Sequence, residues 1–267
     1  MTALSYRAMD TLELGLKGKV AIVTGASEGM GRAAAERLAR SGARVTMCAR
    51  RKDVLERAAE DIRKATGAEV LPLSADVSRA ADCEAVVAAT VEQFAGVDIL
   101  LNNAGTSAAQ GLEELDDAAW QADIDLKLMA AVRLCRAVIP IMRSRGGGAI
   151  VNTTIVGGKA PAARSLPTSV TRAAGINLTK SLANEYAKDG IRVNTICLGL
   201  LKSAQWERRA GDRPVADLYA EIARRVPLGR LGEAEEYADL VAFLVSERAA
   251  FITGTAINLD GGMGATV

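Results

Sequence analysis

The sequence predicts an α/β protein with one doubly wound parallel sheet of seven strands and helices on both faces. Short apolar runs alternate along the chain with longer segments in which apolar residues recur at helical spacing. A glycine-rich loop follows the first apolar run and opens a helical segment. The chain has 267 residues, 49% of them hydrophobic. It is therefore long enough for one large core, and no segment resembles a linker.

The predicted strands are the short apolar runs, and the predicted helices are the amphipathic stretches between them. The strands cover residues 20–24, 45–48, 70–73, 99–102, 149–153, 193–198 and 256–259. The helices cover residues 54–65, 83–94, 117–142, 173–186 and 233–245. Ligands bind such sheets at the carboxyl ends of the strands, so we expect the functional site at that edge. Residues 1–15 show no clear period and are expected to form an N-terminal extension before a single domain at 16–267.

The charge and hydropathy of the chain indicate a small-molecule partner. The formal net charge is +1 and both signs are interspersed, so we expect no nucleic-acid or membrane-surface partner. No apolar stretch approaches the roughly 20 residues that span a bilayer, and the N-terminus lacks a signal-peptide pattern. We therefore expect a cytoplasmic protein.

Histidine is absent, and this removes several enzyme classes. Serine–histidine and cysteine–histidine nucleophile systems need an imidazole, as do many metal sites, so we expect no metal. The four cysteines are Cys48, Cys83, Cys135 and Cys197. They form no close pair and fall within predicted elements, so we expect small buried hydrophobic residues and not disulfides.

Residues 24–31, with the sequence TGASEGMG, have the strand–loop–helix setting of a dinucleotide-binding loop. Gly25, Gly29 and Gly31 allow a tight turn, close backbone approach to a pyrophosphate, and helix packing. Ser27 adds a hydroxyl donor, and Met30 lies between the last two glycines. The alternative is an ordinary glycine turn.

Later motifs follow the loop in a fixed order. They are Asp76, the sequence NNAG at 102–105, Val-Asn at 193–194 and DGG at 260–262. Their order and spacing resemble those of the short-chain dehydrogenase/reductase family, over about residues 16–263. The resemblance implies a Rossmann-type fold and hydride transfer between a nicotinamide dinucleotide and a small carbonyl or alcohol.

The resemblance also implies roles in cofactor binding. Asp76, followed by Val77, matches the residue that accepts from the adenine amino group. The Asn103, Ala104 and Gly105 segment lies beside the adenine ribose in relatives. The alternative for Asn102 and Asn103 is a purely structural role at the sheet edge.

Further positions match the family at the nicotinamide end. Gly199 begins the loop that covers nicotinamide, and Ser203 replaces a threonine that meets its carboxamide. Residues 200–214, which contain Trp206, are expected to be a mobile substrate-covering loop, because Gly211 and Pro214 favour irregular structure.

The end of the second strand decides between NADP and NAD. An acidic residue there would bind the ribose 2′-hydroxyl, but the chain has Ala49 followed by Arg50 and Arg51. A guanidinium donates two parallel hydrogen bonds to a phosphate, so Arg50 favours NADP over NAD. Glu28 argues the other way, because many NADP-preferring relatives carry a base there. The alternative is that these charges are simply solvated.

The catalytic positions depart from the family pattern. Family members use an asparagine, a serine, a tyrosine and a lysine four residues after the tyrosine. Here the matching positions hold Lys127, Thr154, Thr168 and Arg172. The hydroxyl of Thr168 is a far weaker acid than a phenol, whose pKa is about 10. Arg172 is suited to hold the nicotinamide ribose but not to relay protons.

Lys127 is the titratable replacement, and we expect it to act as a substitute acid or base. The alternative is a solvated helix lysine. Five cations are expected near the substrate-binding cleft, and they suggest an anionic substrate. Positions in exposed surface loops would explain these charged residues almost as well. The five cations are Lys127, Lys159, Arg164, Arg172 and Lys202.

Three functions remain open from the sequence. The first is an NADP-linked oxidoreductase with a rebuilt catalytic site. The second is a dinucleotide-binding homologue without activity, either a sensor or an inactive partner subunit. The third is acid–base chemistry without a redox step. The closing residues 251–262 resemble the family's last strand, which packs across a two-fold axis, so we expect a homo-oligomer, a tetramer by resemblance.

Overall fold

The computed structural model describes residues 13–266, and within them seven parallel strands form one sheet. The strands are β1 (Val20–Thr24), β2 (Arg44–Ala49), β3 (Val70–Ser74), β4 (Ile99–Asn102), β5 (Gly148–Ile155), β6 (Ile191–Leu198) and β7 (Ala256–Leu259). Their order across the sheet is β3-β2-β1-β4-β5-β6-β7. The predicted seven-stranded, doubly wound parallel sheet is confirmed.

The chain direction across the sheet reverses between β1 and β4. β1 pairs with β2 on one side and with β4 on the other, where Val23 lies opposite Leu101. The connections after β1 and β4 therefore diverge and leave a crevice at their carboxyl ends. The glycine-rich loop and the 102–105 segment both border this crevice.

Helices cover both faces of the sheet. They are α1 (Gly29–Arg40), α2 (Lys52–Thr66), α3 (Ala80–Phe94), α4 (Asp117–Ile124), α5 (Ala130–Ser144), α6 (Thr168–Tyr186), α7 (Ala204–Ala210), α8 (Val215–Ala223) and α9 (Ala234–Val245). A π-helical turn, Asp125–Met129, joins α4 to α5. The predicted helix at 117–142 is thus one continuous helical segment with a wider turn around Lys127.

Two helices depart most from the sequence prediction. α6 begins at Thr168, before the predicted start at residue 173, because Leu166–Pro167 pairs with Ala109–Gln110 and delivers the chain directly into the helix. The prediction of a loop throughout 200–214 is wrong for Ala204–Ala210, which is helical. This segment is short and polar, so it carries no apolar stripe for a periodicity argument to detect.

The core consists of two layers, one on each face of the sheet. On β1, Ala21 and Val23 pack with α1 and α9, whereas Ile22 packs with α3 and α5. Both faces of the strand are buried, which explains its continuous apolar sequence. The four cysteines are free and buried. Burial raises the pKa of the Cys83 thiol to about 11.

Neither a helix that could cross a membrane nor a cluster of metal-ligating side chains occurs in the described part of the chain. No helix between residues 13 and 266 is long and apolar enough to cross a bilayer. The same residues contain no group of three or more side chains of the metal-ligating types that could hold an ion. Residues 1–12 of the predicted N-terminal extension lie outside the described residues.

Leu38 on α1 tests the packing of the α1–α9 layer, because its side chain is fully buried. We expect Leu38→Ala to lower the free energy of unfolding by about 2–5 kcal/mol, through lost apolar burial and a residual cavity. Urea denaturation followed by circular dichroism measures this. Leu112→Ala is the matched control, since Leu112 is 64% exposed, and it should change stability by less than about 0.5 kcal/mol. Equal losses in the two variants would contradict the assigned core.

Candidate active site

The loop after β1 is shaped by glycines that leave no room for side chains. Gly25 has φ +65°, and a Cβ there would lie 2.9 Å from Cα of Ala104. A Cβ on Gly31 would clash with the carbonyl oxygen of Gly25. α1 begins at Gly29, and the first N–H groups of a helix have no intrahelical partner. The loop therefore offers backbone donors at a helix N-terminus, which suits a phosphate.

Asn103 fixes this loop against the end of β4. Its Nδ2 donates to the carbonyl oxygen of Thr24 at 3.0 Å, and its Oδ1 accepts from the buried Tyr237 hydroxyl at 3.2 Å. The Thr24 hydroxyl oxygen accepts from the backbone N–H groups of Asn103 and Ala104, both at 3.0 Å. The Asn103 side chain thus joins β1 to the end of β4, which is the structural role that the sequence left open. Asn103 also lines the crevice.

Two cavities lie at the carboxyl ends of the strands and share Gly25, Ser27, Ala104 and Gly105. The larger, of about 430 Å³, is also lined by Arg50, Asp76 and Val77. The smaller, of about 160 Å³, is also lined by Gly29, Met30, Gly31, Asn103 and Ser203. The structure thereby brings most of the predicted cofactor residues together along one crevice.

Gly199 and Arg172 are the predicted cofactor residues that line neither cavity. Gly199 lies just beyond β6, where its N–H donates to the carbonyl oxygen of Leu259 at 2.9 Å. A Cβ at Gly199 would lie 2.6 Å from Cα of Asp260. Close packing against β7 accounts for this glycine without a ligand.

The end of β2 carries the charges expected to choose the cofactor. Arg51 forms an ion pair with Glu28 at 2.5 Å, and Arg208 on α7 lies 3.7 Å from the same carboxylate. Within residues 13–266 no carboxylate forms an ion pair with Arg50. The negative charge of Glu28, which argued against NADP, is therefore compensated by Arg51 and Arg208. Arg50 stays available to an anion.

Asp76 faces Arg50 across the larger cavity. Partial burial raises the pKa of its carboxyl group, but hydrogen bonds from Ser78 and the charge of Arg50 outweigh this and hold the pKa below its usual value. Asp76 is therefore an ionised acceptor at neutral pH, as a partner for an adenine amino group must be.

Lys127 lies at the centre of a buried polar cluster. Its side chain is 0% exposed, so the alternative of a solvated lysine is wrong. Its Nζ donates to Oδ1 of Asp123 and, at 2.7 Å, to the hydroxyl oxygen of Thr168. Oδ2 of Asp123 accepts from the Thr171 hydroxyl at 2.7 Å. The end of α4, the π-helical turn and the first turn of α6 bring these four side chains together.

The same cluster contains the guanidinium of Arg172. Its Nη1 donates to the carbonyl oxygen of Thr153 at 2.7 Å, while its buried Nε has no hydrogen-bond partner. A Cβ on Gly105 would clash with Nη2, so the guanidinium reaches the wall of the nucleotide crevice. The guanidinium donors at this wall suit a polar ligand in the crevice.

Burial lowers the pKa values of both cations. Burial lowers the pKa of Lys127, Asp123 opposes this, and Arg172 adds to it. Burial lowers the pKa of Arg172 to about 10, with Asp123 and Tyr237 opposing the change. Lys127 is thus a stronger acid than an ordinary lysine, and Asp123 limits that change.

Thr154 borders the cluster, but its hydroxyl is directed elsewhere. Together with Lys127 and Arg172 it lines a space of about 20 Å³, which is room for one water molecule. Its hydroxyl oxygen lies 3.4 Å from the carbonyl oxygen of Ile196 and 3.2 Å from Sγ of Cys197. In this conformation Thr154 hydrogen-bonds to β6 and not to Lys127 or Thr168.

The loop cations that suggested an anionic substrate have partners of their own. Lys159 donates to the carbonyl oxygen of Ala256 and to Oδ1 of Asn258, each at 2.7 Å. Ion pairs at 2.5 Å join Arg164 to Glu114 and Lys202 to Glu233. Local acceptors thus engage Lys159, Arg164 and Lys202, whereas Lys127 and Arg172 lie together in the buried cluster. The anionic substrate stays a prediction.

Sequence reasoning missed Asp123, Thr171 and Tyr237. The spacing of Asp123 and Lys127, four residues apart on a helix, is the signal that would have indicated an ion pair. Thr171 and Tyr237 approach the site only through packing between helices and the sheet. A cavity of about 600 Å³ at the amino ends of the strands contains none of the predicted site residues.

Comparison with known proteins agrees with this geometry. A family model described as enoyl-(acyl carrier protein) reductase matches residues 25–264. The 3-oxoacyl-[acyl-carrier-protein] reductase FabG of Vibrio cholerae is 36% identical over 250 residues, which cover 94% of this chain and 99% of that protein.

Solved structures are similar over nearly the whole chain. L-sorbose reductase from Gluconobacter frateurii, complexed with NADPH and L-sorbose, has a TM-score of 0.93 and 38% identity, covering 96% of this chain and 100% of that one. An NADPH-bound short-chain oxidoreductase from Pseudomonas aeruginosa PAO1, described as containing an atypical catalytic center, has a TM-score of 0.89 and 36% identity. That alignment covers 95% of this chain and 99% of that one.

The buried ion pair predicts an unequal response to two variants. Lys127→Met leaves the Asp123 carboxylate buried without its cation, and we expect the free energy of unfolding to fall by about 3–5 kcal/mol. The double variant Asp123→Asn/Lys127→Met removes both charges and should recover most of the loss. Urea denaturation of the three proteins measures this. A double variant no more stable than Lys127→Met would contradict the pairing.

Proposed function

Because this chain belongs to the short-chain dehydrogenase/reductase family of NAD(P)-dependent oxidoreductases, we propose that it transfers a hydride between NADP(H) and a small carbonyl or alcohol through a rebuilt catalytic site. The observation that carries this proposal is the buried hydrogen bond from Lys127 to Thr168, at the positions that match the family's asparagine and tyrosine. It gives the site an acidic proton where the phenol is missing.

The crevice supports NADP(H) as the cofactor. The glycines of the β1 loop leave space for a pyrophosphate, and Asp76 is an ionised acceptor for the adenine amino group. Arg50 is an unpaired cation where a 2′-phosphate would lie, and two similar structures contain NADPH. Arg172 would hold the nicotinamide ribose, since its guanidinium reaches Gly105 at the crevice wall. When bound, NADP(H) supplies or accepts the hydride.

The side chains of this chain would handle the proton. In this structure the Thr168 hydroxyl donates to the carbonyl oxygen of Ala108 at 3.2 Å. In carbonyl reduction it would turn to donate its proton to the carbonyl oxygen of the substrate, and Lys127 Nζ would then transfer a proton to the Thr168 oxygen. Thr168 alone is a poor acid, but an ammonium whose pKa burial lowers is better matched to neutral pH. Thr154, with its hydroxyl bonded to β6, contributes only if its side chain rotates.

The substrate is proposed as a small neutral carbonyl or alcohol. The sequence suggested an anion, but Lys159, Arg164 and Lys202 have partners that already satisfy them. The similar proteins are named as reductases of L-sorbose and of 3-oxoacyl groups, so these two carbonyl types are the first to test.

The assembly and location remain predictions. We propose a homotetramer, and the support within the chain is Phe251, an aromatic side chain that lies fully exposed ahead of β7. A cytoplasmic location and a rebuilt rather than inactive site rest on the sequence argument. Tight NADPH binding without turnover of any carbonyl would favour the inactive homologue.

Arg50 should set the preference for NADPH over NADH. We expect Arg50→Ala to weaken NADPH binding about 10- to 150-fold, which corresponds to about 1.5–3 kcal/mol for a charge-assisted hydrogen bond, and to leave NADH binding unchanged. Titration by nicotinamide fluorescence measures both affinities. Arg57→Ala is the control, because Arg57 is an exposed residue of α2 paired with Asp53. Equal loss of both cofactors in Arg50→Ala would contradict the assignment.

Lys127 should carry the acid function. In assays of NADPH oxidation with L-sorbose and a 3-oxoacyl thioester, we expect Asp123→Asn/Lys127→Met to reduce kcat about 10²- to 10⁴-fold, the range of general acid–base catalysis. NADPH affinity should remain. Lys188→Met, at an exposed lysine, is the control. The double variant avoids leaving an unpaired carboxylate, and full activity in it would refute the role of Lys127.

A further inference from the structure

Asp123 is a buried carboxylate whose two oxygens are both engaged. Its side chain is 4% exposed and lies on α4, one helical turn before Lys127. Oδ1 accepts from Lys127 Nζ, and Oδ2 accepts from the Thr171 hydroxyl on α6. The carboxylate therefore links the helical segment that carries Lys127 to the helix that carries Thr168 and Arg172.

The hydrogen bonds of Lys127 fix the direction in which its ammonium group points. One hydrogen bond goes to Asp123 and another to the Thr168 hydroxyl oxygen, which also accepts from the backbone N–H of Ala108 at 3.1 Å. The Thr171 hydroxyl oxygen lies 3.1 Å from the carbonyl oxygen of Thr168, so the partner of Asp123 is itself fixed to the first turn of α6. The network therefore contacts Thr168 twice, at its hydroxyl through Lys127 and at its carbonyl oxygen through Thr171.

The Asp123 carboxylate also compensates the positive charge of the cluster. The charged groups that face Lys127 are Asp123 on its own helical segment and Arg172 on α6, and Tyr237 on α9 faces Arg172. Without Asp123, the two buried cations Lys127 and Arg172 would repel each other without a neighbouring carboxylate to compensate their charge. A buried ion pair seldom stabilises a fold more than apolar residues of the same volume would, so stability alone gives little reason for this one.

We propose that Asp123 is a positioning residue of the catalytic site, which keeps the ammonium of Lys127 charged and directed at the Thr168 hydroxyl. Its catalytic consequence rests on the proposed function, because Lys127 must act on the substrate for the position to matter. The charge and direction of Lys127 are properties of the protein alone and are measurable without a substrate.

The test is an NMR titration of Lys127 in protein labelled with ¹³C at the lysine ε-carbon, with the signal assigned by its absence in Lys127→Met. We expect Asp123→Asn to lower the pKa of Lys127 by about 1–3 pH units, the range for loss of an adjacent opposite charge. Asp117→Asn, at an exposed position of α4, is the control and should leave that pKa unchanged. An unchanged pKa of Lys127 in Asp123→Asn would overturn the proposal.

Wild-type protein provides a second measurement if Asp123→Asn does not fold. With ¹⁵N-labelled lysine, the Nζ of Lys127 should appear at neutral pH as an ammonium with three attached protons that exchange slowly with water, because the group is buried and hydrogen-bonded. A neutral amine at Lys127 in wild-type protein at that pH would also overturn the proposal.

Failure of the proposed function would look different. In that case wild-type protein would bind NADPH and reduce no carbonyl, while Lys127 still responded to Asp123→Asn. Where reduction is found, the rate should fall as pH rises through the pKa of Lys127, because the acid form is lost. In Asp123→Asn this fall should move to lower pH with NADPH affinity unchanged, a change that a purely structural role would not produce.

Discussion

The close approach of the β1 loop to the segment after β4 is the constraint on which the nucleotide crevice depends. A Cβ on Gly25 would meet Ala104, and a Cβ on Gly31 would meet the carbonyl of Gly25. Asn103 joins the two segments, and the buried hydroxyl of Tyr237 on α9 donates a hydrogen bond to its carboxamide oxygen. Glycine packing and one amide thus set the shape of the crevice, and the charged residues act within that shape.

The second feature is the buried ionic cluster around Lys127. Its ammonium hydrogen-bonds to Thr168 and pairs with Asp123. Burial lowers the pKa of Lys127, and Asp123 opposes that change. The guanidinium of Arg172 belongs to the same cluster and lies against Gly105 at the wall of the crevice.

The fold and most of the cofactor crevice were predictable because local patterns determine them. Strands buried on both faces are continuous apolar runs, and the glycine loop has a recognisable setting between strand and helix. The helix Ala204–Ala210 was missed because it lacks an apolar face. The pairings of Arg164 with Glu114 and of Lys202 with Glu233 join residues far apart in sequence, so single-sequence reasoning could not cancel those charges. Thr171 and Tyr237 were missed for the same reason.

The central claim is that this crevice and its lysine-based cluster perform hydride transfer, and isotope transfer tests it most directly. The protein would be incubated with NADPH in which both hydrogens at the nicotinamide C4 position are replaced by deuterium, together with L-sorbose or a 3-oxoacyl thioester. The product would be analysed by mass spectrometry and NMR. The account predicts one deuterium on the former carbonyl carbon. NADPH binding without deuterated product from any small carbonyl would contradict it.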